Sequence, residues 1–450
     1  MTRPRAAALW RDGAGVTSPP EASALRRTLF SRGYARLLLL SVLLGVPVSL
    51  ACFFFVGFQH EMQHWVWETL PEAAGYDRAP WWWPLPALTL AGLIAAPIIT
   101  RTPGAGGHIP AHGLGGPPIG PKQLPGVALC ALATLPLGVV LGPEAPLMAV
   151  GSALALLSVR IMKATPDPKA SLVIATAGST AAISTILGGP IVASIMVIEA
   201  AGLAGAQLVA LLLPCLLASA TGALVFTGFG DWTGLTIGAL SLPTVPPNVS
   251  PDAGDFLWGV PAAALIGVVL TAGRGLGLRV LEWTGRRTAV RTVICALAVG
   301  GCIAAYALIT GRSPAEAALS GQATLGTLAE DPHAWPVSAL IALIVCKGVA
   351  WGICLGSLRG GPIFPSVLLG AAVGIACAGL PGLGVTPGLA LGVAAATAAV
   401  TGLPLTAAVL AVLLLGPDAH EQMPLIVVAS VTAYLTGQFM TRRSAPAKEG

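Results

Sequence analysis

Apolar stretches recur along the chain from Leu37 to Met440, and they come in two lengths. A membrane-spanning helix needs about 20 consecutive apolar residues. Residues 37–58 and 206–228 reach that length, and 255–272, 291–310 and 337–356 do so with little tilt. Others are short or interrupted by Gly and Pro: 85–100, 124–141, 144–158, 171–187, 190–203, 362–380, 386–402 and 404–416. The pattern predicts an all-α integral membrane protein with many tilted and broken helices. A break in a membrane helix frees backbone groups that must find partners. Such breaks persist where the backbone lines a cavity or binds an ion. The broken helices are therefore the first functional hint.

The segments between the apolar stretches predict orientation. Residues 1–36 form a basic arm with Arg3, Arg5, Arg11, Arg26, Arg27, Arg32 and Arg36. The segment 274–291 carries Arg274, Arg279, Arg286, Arg287 and Arg291 against Glu282, and the tail 441–450 carries Arg442, Arg443 and Lys448. Excess Lys and Arg marks the cytoplasmic side, so both termini are expected there. The loop 59–83 carries Glu61, Glu68, Glu72 and Asp77 against Arg78, and 229–254 carries Asp231 and Asp252 without a base. Both are expected outside. Trp65, Trp67 and Trp81 to Trp83 suit an interfacial aromatic belt.

Composition narrows the classes. Of 450 residues, 55% are hydrophobic and 10% charged, against about 25% charged in soluble domains. A soluble enzyme is excluded by these proportions. The net charge of +5 sits at termini and in short segments rather than on a stripe, so no nucleic-acid partner is expected. The eight cysteines show no CxxC spacing. Most of them, including Cys215, Cys295, Cys302 and Cys354, read as buried apolar residues. The Arg-rich start with a late apolar run does not fit a cleavable signal peptide.

The chain also repeats itself. Gly142-Pro143-Glu144-Ala145-Pro146 is followed by Gly151, and Gly361-Pro362-Ile363-Phe364-Pro365 by Gly370. Both read GPxxPxxxxG and both precede a helix. Pro190-Ile191-Val192-Ala193 has a counterpart in Pro404-Leu405-Thr406-Ala407 at a similar offset. Two membrane repeats, 37–228 and 255–440, joined by an outer linker at 229–254, would place a site at their interface near mid-membrane. A Gly-Pro turn leaves the first helical N–H groups unpaired and partly positive. Aimed at one point, they make an anion site without a full charge. Glu144 opens such a helix. An intramembrane carboxylate is functional by default. It could occupy the anion site itself and leave on protonation, which makes Glu144 the candidate gate.

On these residues the chain resembles the CLC family of chloride channels and chloride/proton exchangers. Gly106-Gly107-His108-Ile109-Pro110 is similar to the family's GSGIP, Gly142 to Pro146 to its GREGP, and Gly360 to Pro365 to its GGIFAP. Gly189-Pro190 through Glu199 resembles the family's NAPLAGILFIIEE helix. Gly402 to Thr406 and on through Phe439 resembles its RAPLTGIVLVLE stretch and the next helix. The resemblance implies an inverted-repeat bundle, a homodimer with one pore per subunit, and a gating glutamate at Glu144. It places Gly107, His108, Ile109, Glu144, Ala145, Ile363 and Phe364 along the anion path.

Departures from the family pattern are specific. Gly107 stands where many members have Ser, and His108 replaces the next Gly. Pro362 removes one backbone donor. Of the Glu-Glu pair that relays protons in exchangers, Glu199 remains and Ala200 replaces the second. The pore tyrosine has no match. Passive conduction or weakly coupled exchange of a small anion, chloride first, is expected, with Glu199 as a possible proton path. A fluoride or other small-anion exporter is the alternative. No cofactor, metal or enzymatic activity is expected; the partners are the anion, the bilayer and a second copy.

Four other features carry possible chemistry. His60-Glu61-Met62-Gln63-His64 matches HExxH, the zinc-protease pattern. Its place in the predicted outer loop, with no Asp in a membrane segment as a third ligand, makes coincidence the better account. His108 and His112 lie in a Gly/Pro-rich stretch that argues against a helical metal pair, and His108 could titrate near neutral pH. Lys347 lies in an apolar run and Arg359 abuts the third motif. Each could draw anions by its field, and Lys347 could equally pair with a carbonyl.

Overall fold

The computed structural model describes residues 19–114, 116–162, 168–235, 240, 242 and 250–444. Arg3, Arg5, Arg11, Lys448 and much of the linker between the repeats lie outside the described residues.

The first half runs α1 (Pro19–Leu29), α2 (Arg32–His64), α3 (Leu70–Ala73), α4 (Pro84–Arg101), α5 (Leu124–Thr134), α6 (Glu144–Ile161), α7 (Pro168–Ser184), α8 (Pro190–Ala201) and α9 (Gly205–Thr233). The second runs α10 (Ala253–Gly285), α11 (Thr288–Thr310), α12 (Gln322–Glu330), α13 (Val337–Ser357), α14 (Ile363–Cys377), α15 (Val385–Thr401), α16 (Pro404–Leu415) and α17 (Ala419–Ser444). Among the described residues, eight helical segments are long and apolar enough to cross a membrane. Exposed apolar side chains such as Phe54, Leu93, Leu224, Leu265 and Val345 cover their outer faces. Surface of that kind is stable in lipid and a liability in water.

The halves repeat in their packing. α2 packs on α9 as α10 packs on α17, α6 on α7 as α14 on α15, and α7 on α9 as α15 on α17; α4 packs across the halves on α11. The motif glycines explain how the short helices come so close. A Cβ at Gly151 would strike the Gly178 carbonyl, and one at Gly370 would strike the Gly392 carbonyl. Small residues let helix backbones touch where the hydrophobic effect gives no drive for association.

Several expected boundaries are corrected. The first long helix starts at Arg32 and ends at His64, and a π-turn over Trp65–Thr69 continues it into α3. HExxH therefore lies on a helix, not in a loop. The helix α10 runs to Gly285, so Arg274 and Arg279 belong to it and the basic turn shrinks to 286–287. Long cationic side chains tolerate helix ends in lipid because they reach toward the interface. A capping box starts α10: Asp252 Oδ1 accepts from the Asp255 N–H at 3.1 Å, and Asp255 Oδ2 accepts from the Asp252 N–H at 2.9 Å. Trp67 is no belt residue. It is buried, and its indole N–H donates to the Pro136 carbonyl at 3.0 Å. Trp65 and Trp81 are exposed.

Candidate functional site

The two GPxxP motifs meet. Gly142 and Gly361 form an antiparallel bridge, with N–H to carbonyl distances of 2.7 and 2.6 Å. Pro143 and Pro362 then cap α6 and α14 with nearly the same backbone geometry, φ −81° and −86°. Proline suits this position because it gives up a donor that no helix would use. The two helix N-termini, with their unpaired N–H groups, are thereby brought to one place.

Glu144 lies across that place. It is fully buried, and its Oε1 accepts from the Phe364 N–H at 2.7 Å. The Ile363 backbone also interacts with the carboxylate. Oε2 is buried without a hydrogen-bond partner. The carboxylate thus sits where the α14 dipole best stabilises negative charge. A Cβ at either Gly142 or Gly361 would run into it. Ile363 and Phe364 turn their side chains into the core and offer only backbone to the site. Ala145 follows in the first turn of α6.

The first motif approaches from another side. The Gly107 N–H is used within its own turn, donating to the Gly104 carbonyl at 2.8 Å, and Gly107 has φ +118°. Its position packs toward Val127 on α5. His108 is partly buried beside Gly116. Burial lowers the His108 pKa from its ordinary value, so the imidazole is neutral at neutral pH. Ile109 packs on the core in extended conformation. The last residue of this motif and the segment just after it reach the third motif. Pro110 and Gly113 share a small cavity of about 10 Å³ with Pro362, Arg274 and Trp351. Arg274 Nε donates to the Ala111 carbonyl at 3.2 Å. The Trp351 indole nitrogen is buried without a partner. Sequence reasoning missed Trp351, because a Trp in an apolar helix reads as core.

The remaining candidates lie apart from Glu144. Glu199 ends α8 and caps α16: it accepts from the Leu405 N–H at 2.9 Å, and from the Thr406 N–H and hydroxyl at 2.7 Å each. Lys347 is buried and donates to the carbonyls of Ala317, Ala318 and Leu319 at 3.0, 2.8 and 3.2 Å. Arg359 is buried and donates to the Ala105 carbonyl, which ties the third motif to the first. His64 of the HExxH pattern pairs with Glu68 at 3.2 Å on an exposed face. Among the described residues, no three His, Cys, Asp or Glu side chains are grouped as metal ligands.

Comparison with known proteins agrees with this geometry. The model of the voltage gated chloride channel family matches residues 105–438. YfeO of Escherichia coli O139:H28, which is named an ion-transport protein, is 28% identical over 341 residues, covering 74% of this chain and 77% of that protein. YfeO of Shigella flexneri serotype 5b matches with the same identity and coverage. Among solved structures, a slow cyanobacterial Cl−/H+ antiporter superposes with a TM-score of 0.73 at 18% identity, over 92% of this chain and 99% of that one. A CLC-type fluoride/proton antiporter superposes with a TM-score of 0.67 at 18% identity, over 89% and 95%. At that identity the superpositions show a shared fold.

Proposed function

Because the chain belongs to the voltage gated chloride channel family, we propose that it carries chloride across the membrane through a path gated by Glu144. The observation that carries this reading is the buried Glu144 carboxylate on the Phe364 N–H. A carboxylate held there by helix-terminal donors competes with any anion for the same donors. Protonation removes its charge and weakens its hold, so an anion replaces it. The gate opens as pH falls.

The small cavity beside Pro362 extends the path. Pro362 offers no N–H, and the Trp351 indole N–H faces no protein acceptor. With the Arg274 guanidinium it supplies the donors that the backbone lacks. Trp351→Phe keeps the ring and deletes only the N–H. A hydrogen bond to a charged group contributes about 1.5–3 kcal/mol. The half-saturating anion concentration for flux in Trp351→Phe is expected to rise about tenfold or more. An unchanged concentration dependence would remove Trp351 from the path.

The departures favour channel-like or weakly proton-coupled transport. Ala200 offers no inner acid, and Glu199 is engaged at α16. The test is anion efflux from liposomes carrying the purified chain, with external pH recorded. Chloride release without proton movement supports a channel-like pore. External alkalinisation during chloride efflux means exchange, and Glu199→Gln then tests the proton path. No chloride flux sinks the chloride reading. Fluoride is the second reading, and one observation favours it: a cavity of about 10 Å³ holds about one water-sized sphere, which suits the smallest halide. The Arg-rich turn at 286–287 supports a cytoplasmic position for that face and for both termini. A homodimer is the expected assembly, and light scattering of the detergent-solubilised chain checks it.

A further inference from the structure

A second, larger cavity lies away from Glu144, where four helix ends meet. It has a volume of about 350 Å³. The C-terminal ends of α4, α10 and α13 and the N-terminus of α11 surround it, and Thr284, Thr288, Thr292, Gly356, Ser357 and Arg359 line it. No acidic residue is among the described residues that line it.

Three independent features there call for negative charge. Thr292 is fully buried, yet its Oγ1 has no hydrogen-bond partner among the described residues. A buried hydroxyl left unpaired is costly and uncommon. Arg359 is buried, and among the described residues its guanidinium donates to the carbonyls of Ala105 and Leu358, at 3.0 Å each. The ion pairs among the described residues are His64–Glu68 and Arg312–Glu316, so Arg359 has no carboxylate partner there. A buried cation without a counter-charge is strongly unfavourable. Finally, α11 begins at Thr288 with no side-chain cap, so its first N–H groups and its dipole face the cavity end.

We propose that this cavity binds a phosphate group. A halide would fill a small part of 350 Å³, which lies in the range of small-molecule sites. A tetrahedral oxyanion presents several acceptors at once. It can take the planar fork of Arg359, the Thr292 hydroxyl and the α11 N-terminus together. Arg286 and Arg287 stand exposed on the turn between the lining residues Gly285 and Thr288 and add positive field at the rim. Two sources share this chemistry, a free phosphate and the headgroup of an anionic lipid. Because Arg359 also holds Ala105, two residues before Gly107, occupancy stiffens the first motif. The inference stands whichever anion crosses the membrane.

Thermal unfolding of the purified full chain tests it. In detergent with chloride held constant, inorganic phosphate should raise the unfolding midpoint further than added chloride does at equal ionic strength. Thr292→Val removes the hydroxyl at nearly constant shape and should need about tenfold more phosphate for the same shift. Thr292→Ser keeps the hydroxyl and should behave as wild type. A rise seen only in nanodiscs containing phosphatidic acid, against phosphatidylcholine alone, and reduced by Thr292→Val, assigns the site to a lipid headgroup. Equal shifts with chloride and phosphate, no shift with either phosphate source, or an unchanged response in Thr292→Val would overturn the proposal. Should Thr292→Val not fold, Arg286→Gln with Arg287→Gln at the exposed rim must weaken the phosphate response, and an unchanged response there refutes it equally.

Discussion

Liposomes carrying Glu144→Gln will release anion at a rate that no longer depends on pH, and about tenfold faster than wild type above neutrality. Glutamine keeps the shape and can still accept from the Phe364 N–H, but it carries no charge. A hydrogen bond to a charged acceptor contributes about 1.5–3 kcal/mol, against about 0.5–1.5 for a neutral one. The difference of roughly 1–2 kcal/mol shifts the blocked fraction by about tenfold. On the proposed gate, the charged carboxylate blocks and the protonated one leaves, so wild-type flux is expected to rise as pH falls. If Glu144→Gln keeps the wild-type pH profile, the gate lies elsewhere and the central reading of the site fails.

Lys347→Met is expected to cost stability rather than selectivity. The ammonium donates to three consecutive carbonyls, of Ala317, Ala318 and Leu319. Leu319 is held at φ +60°, a conformation that a residue with a Cβ resists. Its N–H donates to the Gly138 carbonyl, four residues before Gly142. Lys347 therefore pins the strand that delivers the second motif. Removing it leaves the two buried carbonyls of Ala317 and Ala318, and the part-buried one of Leu319, without this donor; at about 1–3 kcal/mol for each buried acceptor, a loss of at least about 2 kcal/mol should appear as a clear drop in unfolding midpoint. The opposite result, a stable Lys347→Met with reduced anion affinity, would mean that the ammonium acts on the anion by its field.

The helical breaks were legible in sequence because their causes are local. A Gly-Pro step followed by an apolar run marks the starts at Glu144, Pro190 and Ile363, and Pro404 before its own apolar run marks the fourth, so all four could be read from neighbours alone. Helix ends marked by charge were not. Arg274 and Arg279 looked like a loop, but the helix carries both: Arg279 is exposed and reaches outward, while Arg274 is half-buried and donates to the Ala111 carbonyl. α12 was also missed, since nine residues with modest apolar content give little periodicity. α17 was seen only through the family resemblance, because Pro424, Gly437 and polar residues interrupt its apolar run.

By itself the sequence determined that this is an all-helical membrane protein of two similar halves, with an acid at the head of a broken helix and a backbone suited to anions. Composition, repeat and turn chemistry are one-dimensional and survive without coordinates. Tertiary structure alone decided what those pieces do to one another. Glu144 finds its donor 220 residues away, and Glu199 finds its own 206 and 207 residues away, at the start of α16. The motif glycines proved to be a bridge whose missing Cβ atoms make room for a carboxylate. Trp351 and Thr292 looked like ordinary core until their polar atoms were seen to lack partners. The physical reason is common to all four. Whether a buried polar group is satisfied depends on atoms brought within about 3 Å, and the chain places those atoms together only when the two halves pack.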